Sequence, residues 1–225
     1  MSIGVQVRFM SRRKETEGKG EFLHGQENIP DTQTLPDDEQ DARLAEAAAH
    51  GDKGAFERLA WRWWDRIRGY CSAFVSFDPD LAEEAAQESL IRLYKALPGW
   101  KRKSPLGGYI YGICRTASND VLRKAARHGV RTSQIEDFQL AAIESHHAAG
   151  EDALYREHAK QAVTRAMSEL PPDDRAMIYL HLVEDKPLSE IAALYKVPVG
   201  TVKSRLFRLK EKLGQRLKEM GYEYR

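Results

Sequence analysis

Apolar residues between Ala42 and His128 recur at every third or fourth position, the spacing of one face of an α-helix. In GDKGAFERLAWRWWDRIRGYCSAF, the residues Phe56, Leu59, Trp63, Ile67, Tyr70 and Phe74 share a stripe and predict a long amphipathic helix with that stripe in a core. Trp61 and Trp64 lie off the stripe, where they are available to cover a neighbouring helix or an interface. A second helix is predicted over DPDLAEEAAQESLIRLYKAL. Its buried line is Ala86, Leu90, Leu93 and Leu97, and Glu84, Gln87 and Glu88 are turned away from it. PGWKRKSPLGGYIYGICRTASNDVLRKAARHG then leads a basic loop into a third helix. Leu106, Ile110, Ile113, Ala117 and Val121 form its core stripe, with Tyr109, Tyr111, Arg115, Asn119 and Arg123 on its other sides.

The helical pattern resumes near Arg156 and breaks at LPPDD. There Pro172 opens a helix without losing a needed N–H bond, and Asp173 and Asp174 suit its positive end. EDKP permits another start at Pro187. Ser189 to Tyr195 is a short helix with Ile191 and Leu194 for packing, and KVPV ends it, because Pro198 cannot continue a helix but can begin one. In the helix that follows, Val202, Leu206, Leu209 and Leu213 make one buried seam. Gly200, Thr201, Ser204 and Arg208 stand opposite, flanked by Lys203 and Arg205. The fold class expected is all-α, with two small helical domains joined by a flexible acidic linker and the second ending in a helix-turn-helix. The expected division is a polar, disordered tail over 1–41, a helical domain over 42–128, a linker over 129–155 and the helix-turn-helix domain over 156–225.

Charge changes this picture more than composition does. A formal net charge of +1 over 225 residues hides strong segregation. The tail is acidic, and Trp100 to Arg131 sets Lys101, Arg102, Lys103, Arg115, Arg123, Lys124, Arg127 and Arg131 against Asp120. Gln134 to Glu157 is acidic again, and the C-terminal tract is basic. Cys71 and Cys114 are the two cysteines, with no close Cys pair or useful His cluster, so neither a disulfide framework nor a structural zinc site is expected. His146 and His147 are adjacent and do not share a helical face. No apolar run approaches a membrane span of about 20 residues. The first twenty residues lack the apolar segment of a secretory signal, so a cytoplasmic location is the expectation.

Two stretches carry candidate chemistry. Aromatic rings interleaved with cations around Tyr109 suit unpaired nucleic acid, because rings stack on bases while Arg and Lys hold the backbone. The helix, break and helix from Pro187 to Leu213 suits the major groove. There small residues allow close approach, and Ser, Thr or Arg meet base edges. Lys203, Arg205 and Lys210 are placed for phosphates, which position a protein more than they select sequence. No phosphate loop, metal-ligand cluster or nucleophile elbow is present, so no enzyme, cofactor or metal is expected.

Two segments in this order resemble one family, the sigma-70 family of bacterial RNA polymerase sigma factors, in its small extracytoplasmic-function group. AFERLAWRWW with DLAEEAAQESLIRLYKALPGW is similar to the family's core-polymerase-binding region, and SPLGGYIYGICRTASNDVLRK to the promoter-melting region. LPPDDRAMIYLHLVEDKPLSEIAALYKVPVGTVKSRLFRLKEKL resembles its C-terminal promoter-binding domain. The resemblance implies a subunit that binds core RNA polymerase, recognises promoter −10 and −35 elements and directs transcription initiation. It implies promoter DNA, both duplex and locally single-stranded, as a partner and admits an anti-sigma factor as another. It assigns Glu84, Gln87 and Glu88 to polymerase. Lys101, Arg102, Lys103, Tyr109, Arg115, Asn119 and Arg123 go to the −10 element and its melting, with Tyr109 where the family commonly has Trp. Val199, Gly200, Thr201, Lys203, Ser204, Arg205 and Arg208 go to the −35 element. Lys196 stands where the family's turn commonly has Gly, and Pro198 offers no hydroxyl to cap the second helix, departures that bear on promoter preference. Two other readings stay open: a self-sufficient helix-turn-helix regulator, and a decoy that binds polymerase without initiating.

Overall fold

The computed structural model describes residues 37–102, 104–128 and 151–222, with the backbone alone at 37 and over 151–157. The described residues are all-α: α1 (Asp37–Ala49), α2 (Lys53–Phe74), α3 (Pro79–Ala96), α4 (Leu106–Arg127), α5 (Glu151–Ser168), α6 (Pro172–Leu182), α7 (Leu188–Tyr195) and α8 (Val199–Glu219). The linker expected over 129–155 lies outside the described residues up to 150. From Glu151 the chain is already helical, ahead of the boundary read from the pattern.

The first module is α1 to α4. The stripe predicted for α2 is buried as expected, and the helix starts on Asp52, whose carboxylate accepts the Ala55 N–H at 2.9 Å. Ser76 and Phe77 take left-handed backbone (φ 66° and 63°) to reverse the chain. Asp78 then caps α3 by accepting from the Asp80 and Leu81 N–H groups, with Pro79 in its first turn. Trp64, off the stripe, is buried against its neighbours and Trp61 is half-buried.

Three expectations are corrected. Residues 37–41, assigned to a disordered tail, begin α1, because Ala42, Ala45 and Ala48 make a small-residue face that packs on α2. Asp41 fixes that contact, accepting from Trp63 Nε1 at 2.7 Å and Arg62 Nε at 2.5 Å. Tyr111, placed on an outer side of α4, is buried with its ring centroid 5.7 Å from Trp63 and 5.2 Å from Tyr70. It faces the second module, whose existence on that side the α4 period does not reveal. Ile113, placed in the core stripe, is half-buried for the complementary reason.

The second module is α5 to α8. Pro172 opens α6 and Pro187 precedes α7, as their missing N–H groups dictate. Lys196 ends α7 in left-handed backbone at φ 54°, the conformation glycine adopts without strain. Val202, Leu206 and Leu209 form the buried seam of α8, each contributing about 1.5–3 kcal/mol by removal from water, while Leu213 is half-buried.

The two modules share one continuous apolar core. Helix α2 packs on α6 and α4 on α7. Arg175 spans the joint. Its guanidinium donates to the Ala73 and Phe74 carbonyls at 2.7 and 2.6 Å and to Ser168 O at 3.2 Å, and it bonds Leu170 O as well. One cation thus satisfies the open carbonyl ends of α2 and α5, where helix dipoles favour positive charge. Burial brings the Arg175 pKa down to about 10.

Candidate polymerase and nucleic-acid interface

Helix α3 presents the first candidate surface. Asp78 and Pro79 set its start, Leu90 and Leu93 its buried side, and Glu84, Gln87 and Glu88 are left on its outer side. Each of the three is engaged within the chain. Glu84 meets Lys124 Nζ at 2.7 Å, Glu88 accepts from Arg92 Nε at 2.7 Å, and Gln87 donates to Glu83 at 2.7 Å. Arg92 reaches Asp120 too, at 2.7 Å, which ties α3 to α4. Exposed pairs of this kind are worth about 0–1 kcal/mol, so a basic partner can exchange for them at small cost.

The second surface is the loop before α4 and the helix itself. Lys101 and Arg123 are exposed, and Arg123 approaches Asp120 at 3.9 Å. Lys103 lies outside the described residues. Arg102, at φ 53°, bends back to the α1 carboxylates, 3.7 Å from Glu39 and paired with Glu46. Tyr109 is half-buried and donates its hydroxyl to Ala96 O at 2.8 Å, and burial raises its pKa. Asn119 donates to Arg115 O at 3.0 Å. Arg115 is the most constrained: it donates to both Asp173 oxygens at 2.8 Å, and its guanidinium stands 5.1 Å over the Tyr195 ring. The Asp173 bonds push its pKa up. A groove of about 670 Å³ between α4 and α7 is lined by Tyr109, Gly112, Ile113, Thr116, Ala193 and Leu194 among others.

The third surface is the open side of α8. Val199, Gly200, Thr201, Lys203, Ser204 and Arg208 are all exposed, brought together as the period predicts. Ser204 donates to Thr201 O at 3.1 Å and Arg208 to Ser204 O at 3.3 Å, so both side chains lie along the helix surface. Arg205 departs from the set. It reaches back to buried Asp174 at 2.5 Å and braces α8 on α6. Phe207, not among the residues singled out from the sequence, is 62% exposed on the same open side. Its place one turn beyond Ser204 and two beyond Gly200 was the available signal, obscured by its apolar character. Phe contacts the thymine methyl in major grooves. Among the described residues no His, Cys, Asp or Glu cluster has the makings of a metal site.

Residues 59–128 match the family described as Sigma-70 region 2, and residues 160–213 match Sigma-70, region 4. The chain is 31% identical over 188 residues to the RNA polymerase sigma-H factor of Pseudomonas aeruginosa, covering 81% of this chain and 96% of that protein. The chain belongs to the sigma-70 family. Within it, the chain falls in the extracytoplasmic-function group. It is 28% identical over 184 residues to the ECF RNA polymerase sigma-E factor of Escherichia coli K12, covering 80% of this chain and 95% of that protein. Two solved structures share the fold. CnrH in complex with the cytosolic domain of CnrY has a TM-score of 0.57 at 19% identity, covering 80% of this chain and 98% of that one. The Bartonella quintana sigma factor RpoE, in complex with the anti-sigma factor NepR, has a TM-score of 0.56 at 23% identity, covering 72% and 96%. The sigma-70 chain described here is thus a transcription initiation factor, with core RNA polymerase and promoter DNA as its partners. None of its described helices is long and apolar enough to cross a membrane.

Proposed function

We propose that this sigma factor divides its work among the three surfaces, with Glu84, Gln87 and Glu88 of α3 facing the polymerase core. In this reading Lys101, Arg102, Lys103, Tyr109, Arg115, Asn119 and Arg123 bind and hold open the −10 element. Val199, Gly200, Thr201, Lys203, Ser204 and Arg208 read the −35 element, and Arg205 positions α8. The observation that carries the reading is the open side of α8, where small and polar side chains stand exposed above a buried apolar seam behind an abrupt turn. Such a helix enters a major groove with its first turns foremost. Lys203 neutralises phosphate, and Thr201, Ser204 and Arg208 test base edges. A good bidentate contact supplies about 1–3 kcal/mol of discrimination.

No bond is made or broken by the subunit. Melting is a binding event, in which capture of unstacked bases offsets an unstacking cost of a few kcal/mol. In this reading Tyr109, which lines the α4–α7 groove and donates its hydroxyl to Ala96 O, captures such a base with its ring. The likeness to RpoE, solved in complex with the anti-sigma factor NepR, supports an anti-sigma partner for this chain as well. The domain division that follows is a first functional unit over 42–128 and a second over 156–225, joined through 129–155.

Promoter-dependent transcription with purified core polymerase over a genomic promoter library tests the assignment. Specific initiation on addition of the wild-type chain is expected, with promoter choice altered by Thr201→Ala, Ser204→Ala or Arg208→Ala. Core binding without initiation favours a decoy. Repression with no core association favours a regulator that acts alone.

A further inference from the structure

Helix α4 begins without a cap of its own. Pro105 stands at its N-cap and offers no side-chain acceptor to the first turn, so the helix is directed by what precedes it and by what it rests on. Helix α1 contributes to both. Gly107, in the first turn of α4, lies so close to Trp63 that an added Cβ would be 3.1 Å from the ring, and Trp63 is held by Asp41. Arg102, in the turn before α4, pairs with Glu46 and lies 3.7 Å from Glu39. Glu39 and Glu46 are seven residues apart, two helical turns, and so present both carboxylates on one face. Trp100 closes the same turn, donating Nε1 to Ser104 O at 3.3 Å. A cavity of about 290 Å³ is lined by Asp38, Asp41, Trp63, Trp100, Arg102 and Gly107 among others, so the turn, α1 and α2 meet around it.

Arg102 has a φ of 53°, left-handed backbone that is unfavourable for any residue with a Cβ. Its guanidinium and both carboxylates are half-exposed, and an exposed ion pair contributes little alone. Two such pairs together are of the same size as the cost of one left-handed residue. The turn is therefore balanced. With the carboxylates it holds this shape, and without them nothing opposes the backbone strain. The arginine's charge is spent inside the chain, on a helix that lies ahead of the residues matched to Sigma-70 region 2.

We infer that Glu39 and Glu46 of α1 are positioning residues for the −10 surface, holding Arg102 in its left-handed conformation and so fixing the approach to α4, on which Tyr109 is carried. The inference rests on the proposed assignment of this surface to the −10 element. It gives Arg102 its part there through the turn it holds and not through a phosphate. A turn ordered in advance spares the melted strand the cost of ordering it. The effect therefore falls on promoter opening and leaves the α3 surface untouched.

The test uses the full chain with core polymerase, on a promoter carrying a fluorescent base analogue in the −10 element that brightens on unstacking. Glu46→Gln and Arg102→Ala should each slow opening about three- to tenfold, the loss of one or two exposed pairs, with core affinity within about twofold of wild type and an unchanged salt dependence. Arg102→Gly accepts left-handed backbone without a clamp and should lose clearly less than Arg102→Ala. In the Arg102→Gly background, Glu46→Gln should add no further loss. Neither a phosphate contact nor a general loss of stability produces that pair of results. Equal losses in Arg102→Ala and Arg102→Gly overturn the inference, and a flattened salt dependence with them makes Arg102 a phosphate contact. Opening at the wild-type rate in Glu46→Gln overturns it as well. If Glu46→Gln acts by loosening α1, its effect persists in the Arg102→Gly background, and that too overturns it. Normal opening by Tyr109→Ala removes the −10 assignment itself. The clamp is then still read in urea midpoints, where Arg102→Ala must fall below Arg102→Gly.

Discussion

Replacing Arg175 by Met keeps a long unbranched stem in the joint and removes every donor. The guanidinium bonds four carbonyls, those of Ala73, Phe74, Ser168 and Leu170, and three of those bonds are buried. An unsatisfied buried acceptor costs about 1–3 kcal/mol, so the gross loss from three is roughly 3–9 kcal/mol. The wild-type cation has its own desolvation cost of several kcal/mol, which the substitution relieves. The net is a destabilisation of about 3 kcal/mol, or a fall in Tm of roughly 6–12 °C at about 2–4 °C per kcal/mol for a chain of this size. Thermal and urea unfolding are followed by far-UV circular dichroism, with the fluorescence of Trp61, Trp63, Trp64 and Trp100, the chain's four tryptophans, reporting on the first module alone. Because both lost helix ends meet at the joint, the two signals, coincident in the wild type, should separate in the variant. A Tm within about 2 °C of wild type, with coincident transitions, would refute the claim that this one cation holds the helix ends together.

Three further outcomes are expected. Lys196→Gly relieves left-handed backbone at φ 54° and raises stability by about 1 kcal/mol, read as a higher urea midpoint with unchanged slope. Tyr70, Tyr111, Tyr179 and Tyr195 are all held above the ordinary phenol pKa of 10, chiefly by burial. The folded chain therefore keeps protons the unfolded chain has lost above pH 10. Their contribution to stability is complete below that value and declines as pH rises past it, by up to about 1.4 kcal/mol per pH unit per tyrosine. Phenolate absorbance from these four should then rise only together with loss of helix signal. If, as proposed, Arg208 meets bases and Lys203 phosphate, Arg208→Ala should lower initiation unequally across promoters while Lys203→Ala lowers it nearly uniformly and flattens the salt dependence. Uniform loss in both would contradict the division.

What the sequence discloses and what it hides follows from the range of the interactions. Helix periods place Leu59, Ile67, Leu90, Val202 and Leu206 in cores, because an apolar stripe needs only a neighbour of some kind. Pro172, Pro187 and Pro198 mark helix starts by local sterics, and the open side of α8 emerges by subtraction from its seam. Tyr111 is misplaced because its partner Glu184 is 73 positions distant, and the period of α4 alone gives no hint of it. Asp41 and Arg175 look like surface charge, but each is buried and bonds groups 21 or more residues away, Arg62 for Asp41 and the Ala73 carbonyl for Arg175. Arg115 and Arg205 are legible as cations on the candidate DNA-binding elements, but not as cations already committed to Asp173 and Asp174. Composition cannot show that, since engagement depends on how the modules meet.

Gly69 has a consequence for how substitutions in this chain should be tolerated. The three atoms nearest to its missing Cβ all belong to Tyr179, across the joint. A methyl there should be tolerated or favourable whenever the first module is scored apart from the second, and costly whenever the intact chain is scored. Alanine is also the better helix former, favoured by about 1 kcal/mol over glycine. The two contexts should therefore give mutational scores of opposite sign at a single position, which marks Gly69 as belonging to the joint and to neither half.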